Sequence, residues 1–289
     1  MASTVANGIT IEYEVDGDGE PMLLVMGLGE QLTTWPDALV AKLVDSGFRV
    51  IRFDNRDIGL SSETDWDPPS AARSVAATIA RRPPKAAYHL GDMAADAVGL
   101  LDALSVESAH VVGVSMGGMI AQMIAIDHPQ RVRSLTSIMS NTGDRTHGRV
   151  APRLLPKLAR LGTPTRETAV ERAVAINALI SGPGYDPDER RALAERNLAR
   201  SFRPDGIARQ TAAIMSSPDR TEALGRVAAP TLVVHGLLDP LVKPSGGIAT
   251  ARAVPGSRLV MYPDMAHDLP RSRWDELVAE LRRHADRTA

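Results

Sequence analysis

The segment His110-Val-Val-Gly-Val-Ser-Met-Gly-Gly-Met-Ile120 decides how the rest of the chain reads. A short apolar run leads into Gly113-Val114-Ser115-Met116-Gly117, and helix periodicity starts at once with Met116, Met119, Ile120, Met123 and Ile124 along one side. A serine at such a strand-to-helix corner holds its hydroxyl clear of the sheet, beside the N–H groups that a new helix leaves unpaired. Those are the needs of a nucleophile, so Ser115 is the first candidate catalytic residue. The competing reading is a run of small residues selected only for tight strand–helix packing.

Outward from this corner, the chain alternates strands and helices. Ile9 to Val15 alternates in polarity as a half-exposed strand, and Asp16-Gly-Asp-Gly19 is its turn. The continuous apolar run Pro21–Met26 has the pattern of a strand covered on both faces, and Phe48–Phe53, 109–114 and Thr231–His235 read as further strands. Val132–Ile138 and Arg258–Met261 complete the set of expected strands. Helix spacing appears at Trp35–Val44, Met93–Leu104 and in a closing segment through Trp274, Leu277, Val278 and Leu281. The expected class is therefore α/β, a mostly parallel sheet flanked by helices. Between 140 and 225 the strand signal vanishes, leaving helical segments around 150–160, 166–180, 187–200 and 204–216. A core of 1–139 and 226–289 with an inserted helical cap at 140–225 accounts for this. The cap is expected over the carboxyl ends of the strands, where open α/β sheets bind ligands. Ser62 to Pro84 reads as a long polar loop near the site entrance, with a short helix at 70–80.

Composition narrows the chemistry. At 289 residues and 44% hydrophobic content, the chain can bury a large core. Lys+Arg 33 against Asp+Glu 35 gives a formal charge of -2, which points away from a nucleic-acid partner. There is no cysteine, so disulfides, thiolate catalysis and cysteine metal sites are excluded. No stretch approaches the roughly 18 apolar residues of a membrane span, and the N-terminus lacks a signal-peptide pattern, so no membrane partner is expected and the cytoplasm is the default location. The histidines show no close metal-ligand spacing, so no metal is expected.

A serine nucleophile needs a base, and the base needs an orienting carboxylate, in the chain order Ser, Asp or Glu, His. Asp239 follows the run Leu232-Val-Val-His-Gly236, and His267 lies between the last strand and the last helix. Parallel strands end on one side, which brings both loops to the edge that carries Ser115. His235 lies within a strand and reads as packed or supporting. Asp264 and Asp268 flank His267 and read as loop carboxylates. Backbone donors for an oxyanion are expected at Met116, directly after the serine, and at Leu28 in the Gly27-Leu28-Gly29 turn after an earlier strand. Met26, Gly27, Gly29, Met139 and Met265 are candidate pocket residues, with core filling an equal alternative for the methionines. Asp54 and Arg56, in Asp54-Asn-Arg-Asp-Ile-Gly59, read as a network fixing the neighbouring loop.

Four segments carry a family resemblance: Leu24-Val-Met-Gly-Leu-Gly29, Ile51-Arg-Phe-Asp-Asn-Arg-Asp-Ile-Gly-Leu-Ser61, Asp92-Met-Ala-Ala-Asp-Ala-Val98 and Val111-Val-Gly-Val-Ser-Met-Gly-Gly118. Over nearly its whole length the chain resembles the α/β-hydrolase superfamily, and within it bacterial carboxylesterases similar to aclacinomycin methylesterase. The resemblance implies the α/β-hydrolase fold, Ser115, Asp239 and His267 as a triad, Leu28 and Met116 as oxyanion donors, a mostly helical lid and no cofactor. It also implies a small-molecule ester as substrate. Met26 stands where many relatives carry histidine, which supports the oxyanion loop rather than moving protons. Lactonase and cofactor-free perhydrolase chemistry use the same triad and stay open, as does a non-catalytic ligand-binding relative. Monomer and homodimer are equally compatible with the composition.

Overall fold

The computed structural model describes residues 1–68 and 85–288. Eight strands among the described residues form one sheet: β1 (Ala2–Ala6), β2 (Ile9–Asp16), β3 (Glu20–Val25), β4 (Phe48–Phe53), β5 (Ala109–Val114), β6 (Val132–Ile138), β7 (Thr231–Gly236) and β8 (Arg258–Tyr262). Their spatial order is β1-β2-β4-β3-β5-β6-β7-β8. β2 runs antiparallel to both of its neighbours, and every other pair is parallel. Seven of these strands fall within one residue of the bounds expected from the sequence. β1 is an addition to that set. Its residues show no apolar alternation, because it is an outer edge with Val5 exposed. Its one sequence signal is Asn7-Gly8, both at positive φ (49° and 78°), the chemistry of a tight hairpin turn joining β1 to β2.

Ten helices are described: α1 (Asp37–Asp45), α2 (Leu90–Ala103), α3 (Met116–Asp127), α4 (Leu155–Arg160), α5 (Ala169–Ile180), α6 (Pro187–Arg200), α7 (Pro204–Ser216), α8 (Thr221–Leu224), α9 (Ser245–Ala253) and α10 (Trp274–Ala285). Successive side chains of a strand point to opposite faces, so each continuous apolar run feeds two layers. Leu23, Val25, Ile51 and Val111 pack with Met93, Ala97, Leu101, Ile120 and Ile124 of α2 and α3. Met22, Leu24, Val50, Val112 and Val234 pack on the other face with Leu39 and Leu43 of α1 and Leu277 and Leu281 of α10. Each such aliphatic side chain, fully buried, contributes about 1.5–3 kcal/mol of transfer free energy, so the two layers dominate stability.

Helices α4 to α8 are the regular elements described between β6 and β7, with no described strand among them. Helical segments expected from 150 and 166 begin later, at Leu155 and Ala169, because the residues before them form turns. The helix expected at 70–80 lies outside the described residues. α9, between β7 and β8, has no clear helix signal in the sequence, since Gly246 and Gly247 weaken helix propensity at its start. Gly247 is there for packing: a Cβ added to it would lie 2.5 Å from Nδ1 and 3.0 Å from Cβ of the buried His235. In an open helix Gly→Ala stabilises by up to about 1 kcal/mol. Here overpacking outweighs that gain, so Gly247→Ala should show a net loss of about 1–2 kcal/mol in urea unfolding. A variant at least as stable as the parent would refute the packing role.

Candidate active site

β5 ends at Val114, and the chain turns into α3 through Ser115 at φ 57°, ψ -119°. Few L-residues adopt that region, and holding one there costs on the order of 1–3 kcal/mol. The two motif glycines explain why the corner forms. A Cβ on Gly113 would lie 2.1 Å from the Gly117 carbonyl oxygen, and a Cβ on Gly117 would lie 2.0 Å from that of Val25 in β3. Only bare backbone allows strand β5, helix α3 and strand β3 to approach so closely. The Ser115 N–H donates to the Ile138 carbonyl (2.9 Å), and the Ser115 carbonyl accepts from Gly118 N–H (2.9 Å) and Ser140 Oγ (2.8 Å). These bonds hold the corner and leave the Ser115 side chain free to point outward. Ser140 is absent from the sequence-derived candidates, because a serine after a strand carries no distinguishing signal.

The structure brings Ser115, His267 and Asp239 together from loops after β5, β8 and β7. Ser115 Oγ is 3.0 Å from His267 Nε2, and His267 Nδ1 is 2.7 Å from Asp239 Oδ2. A carboxylate can only accept, so Nδ1 carries the proton and Nε2 is left to accept from the serine hydroxyl. The other Asp239 oxygen accepts from the Leu241 and Val242 N–H groups (2.9 and 2.8 Å). His235 Nε2 donates to the Val242 carbonyl (2.7 Å) and lies 3.5 Å from Asp239 Oδ2, supporting the same turn from below. Asp264 and Asp268 face elsewhere. Asp264 pairs with Arg273 (3.0 Å), and Asp268 accepts from the Ala266 and Gly182 N–H groups, both at 3.0 Å. The His267 N–H in turn donates to the Ile180 carbonyl at the end of α5 (2.9 Å).

Gly27 lies against the serine: a Cβ there would sit 3.4 Å from Ser115 Cβ. The turn is closed by Glu30 N–H donating to the Gly27 carbonyl (3.3 Å), with Gly29 at φ 72°. The N–H groups of Leu28 and Met116 have no partner among the described residues. Met116 is the first residue of α3, so its N–H is also at the positive end of the helix dipole. Met26, Met139 and Met265 are 5%, 1% and 2% exposed and pack with Trp35, Val114 and Ile138 in the α1/α10 layer. Asp54 and Arg56 both secure loops but not to each other, which corrects the expected pair. Asp54 accepts from Leu32 and Leu60 N–H and from Arg200 of α6 (2.6 Å), while Arg56 grips Asp96 of α2 (2.5 and 2.6 Å). Among the described residues no group of three or more His, Asp or Glu is arranged to hold a metal ion, and no helix is long and apolar enough to cross a membrane.

Comparison with known proteins agrees with this fold. The family model described as alpha/beta hydrolase fold matches residues 20–270. Rhodomycin D methylesterase DnrP of Streptomyces peucetius is 31% identical over 96% of this chain and 95% of its own length. Among solved structures, a thermophilic esterase from Thermogutta terrifontis aligns with TM-score 0.73 and 25% identity over 99% of this chain and 97% of its own. The esterase RhEst1 from a Rhodococcus species aligns with TM-score 0.79 and 21% identity over 100% of this chain and 99% of its own, a likeness of fold.

Burial works to raise the Asp239 pKa, but the charge and hydrogen bond of His267, with His235 close by, outweigh it and hold the carboxyl below its usual value. A lowered folded-state pKa means the stabilisation is complete above the ordinary carboxylate range and is lost as pH falls through the folded value. Asp239→Asn cannot titrate, so its thermal midpoint should fall less steeply than the parent's below about pH 4. Parallel acid limbs in the two Tm-versus-pH curves would contradict this.

Proposed function

The chain belongs to the α/β hydrolase fold family, and on that premise we propose that it is a serine hydrolase cleaving carboxylic esters of small molecules through an acyl-enzyme intermediate. One observation carries the proposal: the unbroken contact from Ser115 Oγ through His267 to Asp239, at 3.0 and 2.7 Å, beside two backbone N–H groups with no partner of their own among the described residues. The full-length similarity to a methylesterase supports an ester as the scissile bond.

In the first step Ser115 Oγ forms a bond to the ester carbonyl carbon while its proton passes to His267 Nε2. The carbonyl electron pair moves onto oxygen, and the N–H groups of Leu28 and Met116 stabilise that charge more strongly than they stabilise the neutral carbonyl. Asp239 keeps the imidazole in the productive tautomer and offsets its transient positive charge. Collapse breaks the bond to the alcohol, which leaves with the proton from His267. Water, deprotonated by the same nitrogen, then attacks the acyl-serine and releases the acid. The acid, base and nucleophile of these steps all belong to the chain, and the proposed steps call on no cofactor. Residues 140–225 act as the cap over a core of 1–139 and 226–289, with α5 and α7 nearest the reacting groups.

Ser115→Ala should lower kcat on a short nitrophenyl ester by roughly 10⁶-fold, down to the background of the remaining site. A fluorophosphonate should add to the parent protein and not to the variant, read by intact mass. Near-normal turnover by folded Ser115→Ala protein would overturn the assignment.

A further inference from the structure

The Leu28 peptide is held from both sides by buried side-chain amides. On one side Asn55 Nδ2 donates to the Met26 carbonyl (3.0 Å). On the other, Gln210 Oε1 accepts from the Gly29 N–H (2.9 Å), although Gln210 lies in α7, 181 residues along the chain. Gln210 Nε2 donates to the Arg56 carbonyl (2.9 Å), so both ends of this amide are occupied and the side chain is 0% exposed. A buried amide with both functions satisfied has one orientation available, because any rotation would strand a polar group at about 1–3 kcal/mol.

α7 itself is fixed in place. A Cβ on Gly206 would lie 2.0 Å from the Asp57 carbonyl oxygen, so the start of the helix rests directly on that backbone. Arg209 donates to Asp57 Oδ1 (3.2 Å) and to the Trp66 carbonyl (2.7 Å), one turn further on. Ile207 covers Gly29, whose missing Cβ would meet its side chain at 3.0 Å. The helix therefore grips the turn through one hydrogen bond and one apolar contact, and it is anchored to the 54–66 segment at four points.

We propose that Gln210 is a positioning residue for the oxyanion site: from helix α7 it fixes the Gly29 peptide and thereby aims the Leu28 N–H at the carbonyl oxygen. This rests on the serine-esterase function above and assigns a stationary part of the insertion to the chemistry itself, apart from any choice of substrate. A glutamine suits the task because it supplies an acceptor without placing a negative charge beside the forming oxyanion.

The test uses the full chain and Gln210→Met, which keeps the volume and removes both hydrogen bonds. Displacing an oxyanion donor by a fraction of an ångström to an ångström costs up to about 100-fold in rate. The variant should lose about 10- to 100-fold in kcat on a short nitrophenyl ester, with KM within about twofold and the pH–rate midpoint unchanged, since the Ser115–His267–Asp239 contacts are untouched. Unchanged kcat, a rise confined to KM, or a shifted pH midpoint would each overturn the positioning role. Amide hydrogen exchange tests the linkage without turnover or a variant. In the parent protein the Gly29 N–H should be protected and the Leu28 N–H should exchange freely, whereas a Gly29 amide exchanging as fast as that of Leu28 would refute the inference. If the parent cleaves no ester and takes no fluorophosphonate, the proposed function fails, and the exchange result still decides whether Gln210 holds the turn.

Discussion

Where β5 becomes α3, three stretches of main chain lie against each other with no side chain between them. Gly113 faces the Gly117 carbonyl, Gly117 faces the Val25 carbonyl, and a methyl group at either position would overlap backbone by more than an ångström. That contact forces Ser115 into its positive-φ conformation and lifts its hydroxyl above the sheet. It also lets α3 start close against β3, whose direct pairing with β5 brings the Gly27–Gly29 turn beside the serine. The strain at one residue is small against two apolar layers whose members each contribute about 1.5–3 kcal/mol. The packed sheet is what sustains the unfavourable corner.

The groups around that corner are held by hydrogen bonds to main chain more than by ion pairs. Asp239 has three donors, two of them backbone N–H groups, and its remaining oxygen is directed at His267. His267 is tied through its own N–H to the end of α5, and its neighbour Asp268 reaches the Gly182 N–H just beyond. The Gly27–Gly29 turn is tied to α7 through Gln210. The helices between β6 and β7 thus touch both His267 and the Gly27–Gly29 turn. They are structural members of the candidate site. Backbone-directed contacts of this kind tolerate little displacement, which is what a site stabilising a transient charge requires.

Particular elements show how far the sequence can be read. The buried strands are legible because an apolar run of five or six residues bounded by turn residues is too short for most helices and suits a covered strand. β1 is not legible, because an edge strand needs no apolar face and its Asn7-Gly8 turn is the sole cue. α9 is hidden because its glycines act against helix propensity, Gly247 among them to admit the His235 ring. Asp54 and Arg56 read as loop-fixing residues, and both are, but not as a pair. Their partners, Arg200 and Asp96, are far away in sequence and invisible to local spacing. Gln210 carries no signal at all, being one polar residue in a helix whose target lies 181 residues earlier.

The sequence by itself determined the class of fold, the strand-to-helix corner with its serine, and the chain order in which an acid and a histidine follow. Those properties are local, written in apolar periodicity, glycine spacing and loop position. Only the tertiary structure decided which nitrogen of His267 faces the serine, how Asp239 is shared among its donors, and which helix secures the Gly27–Gly29 turn. Such choices depend on distances between residues remote along the chain, set by how the packed layers bring loop ends together, and local sequence pattern does not encode them.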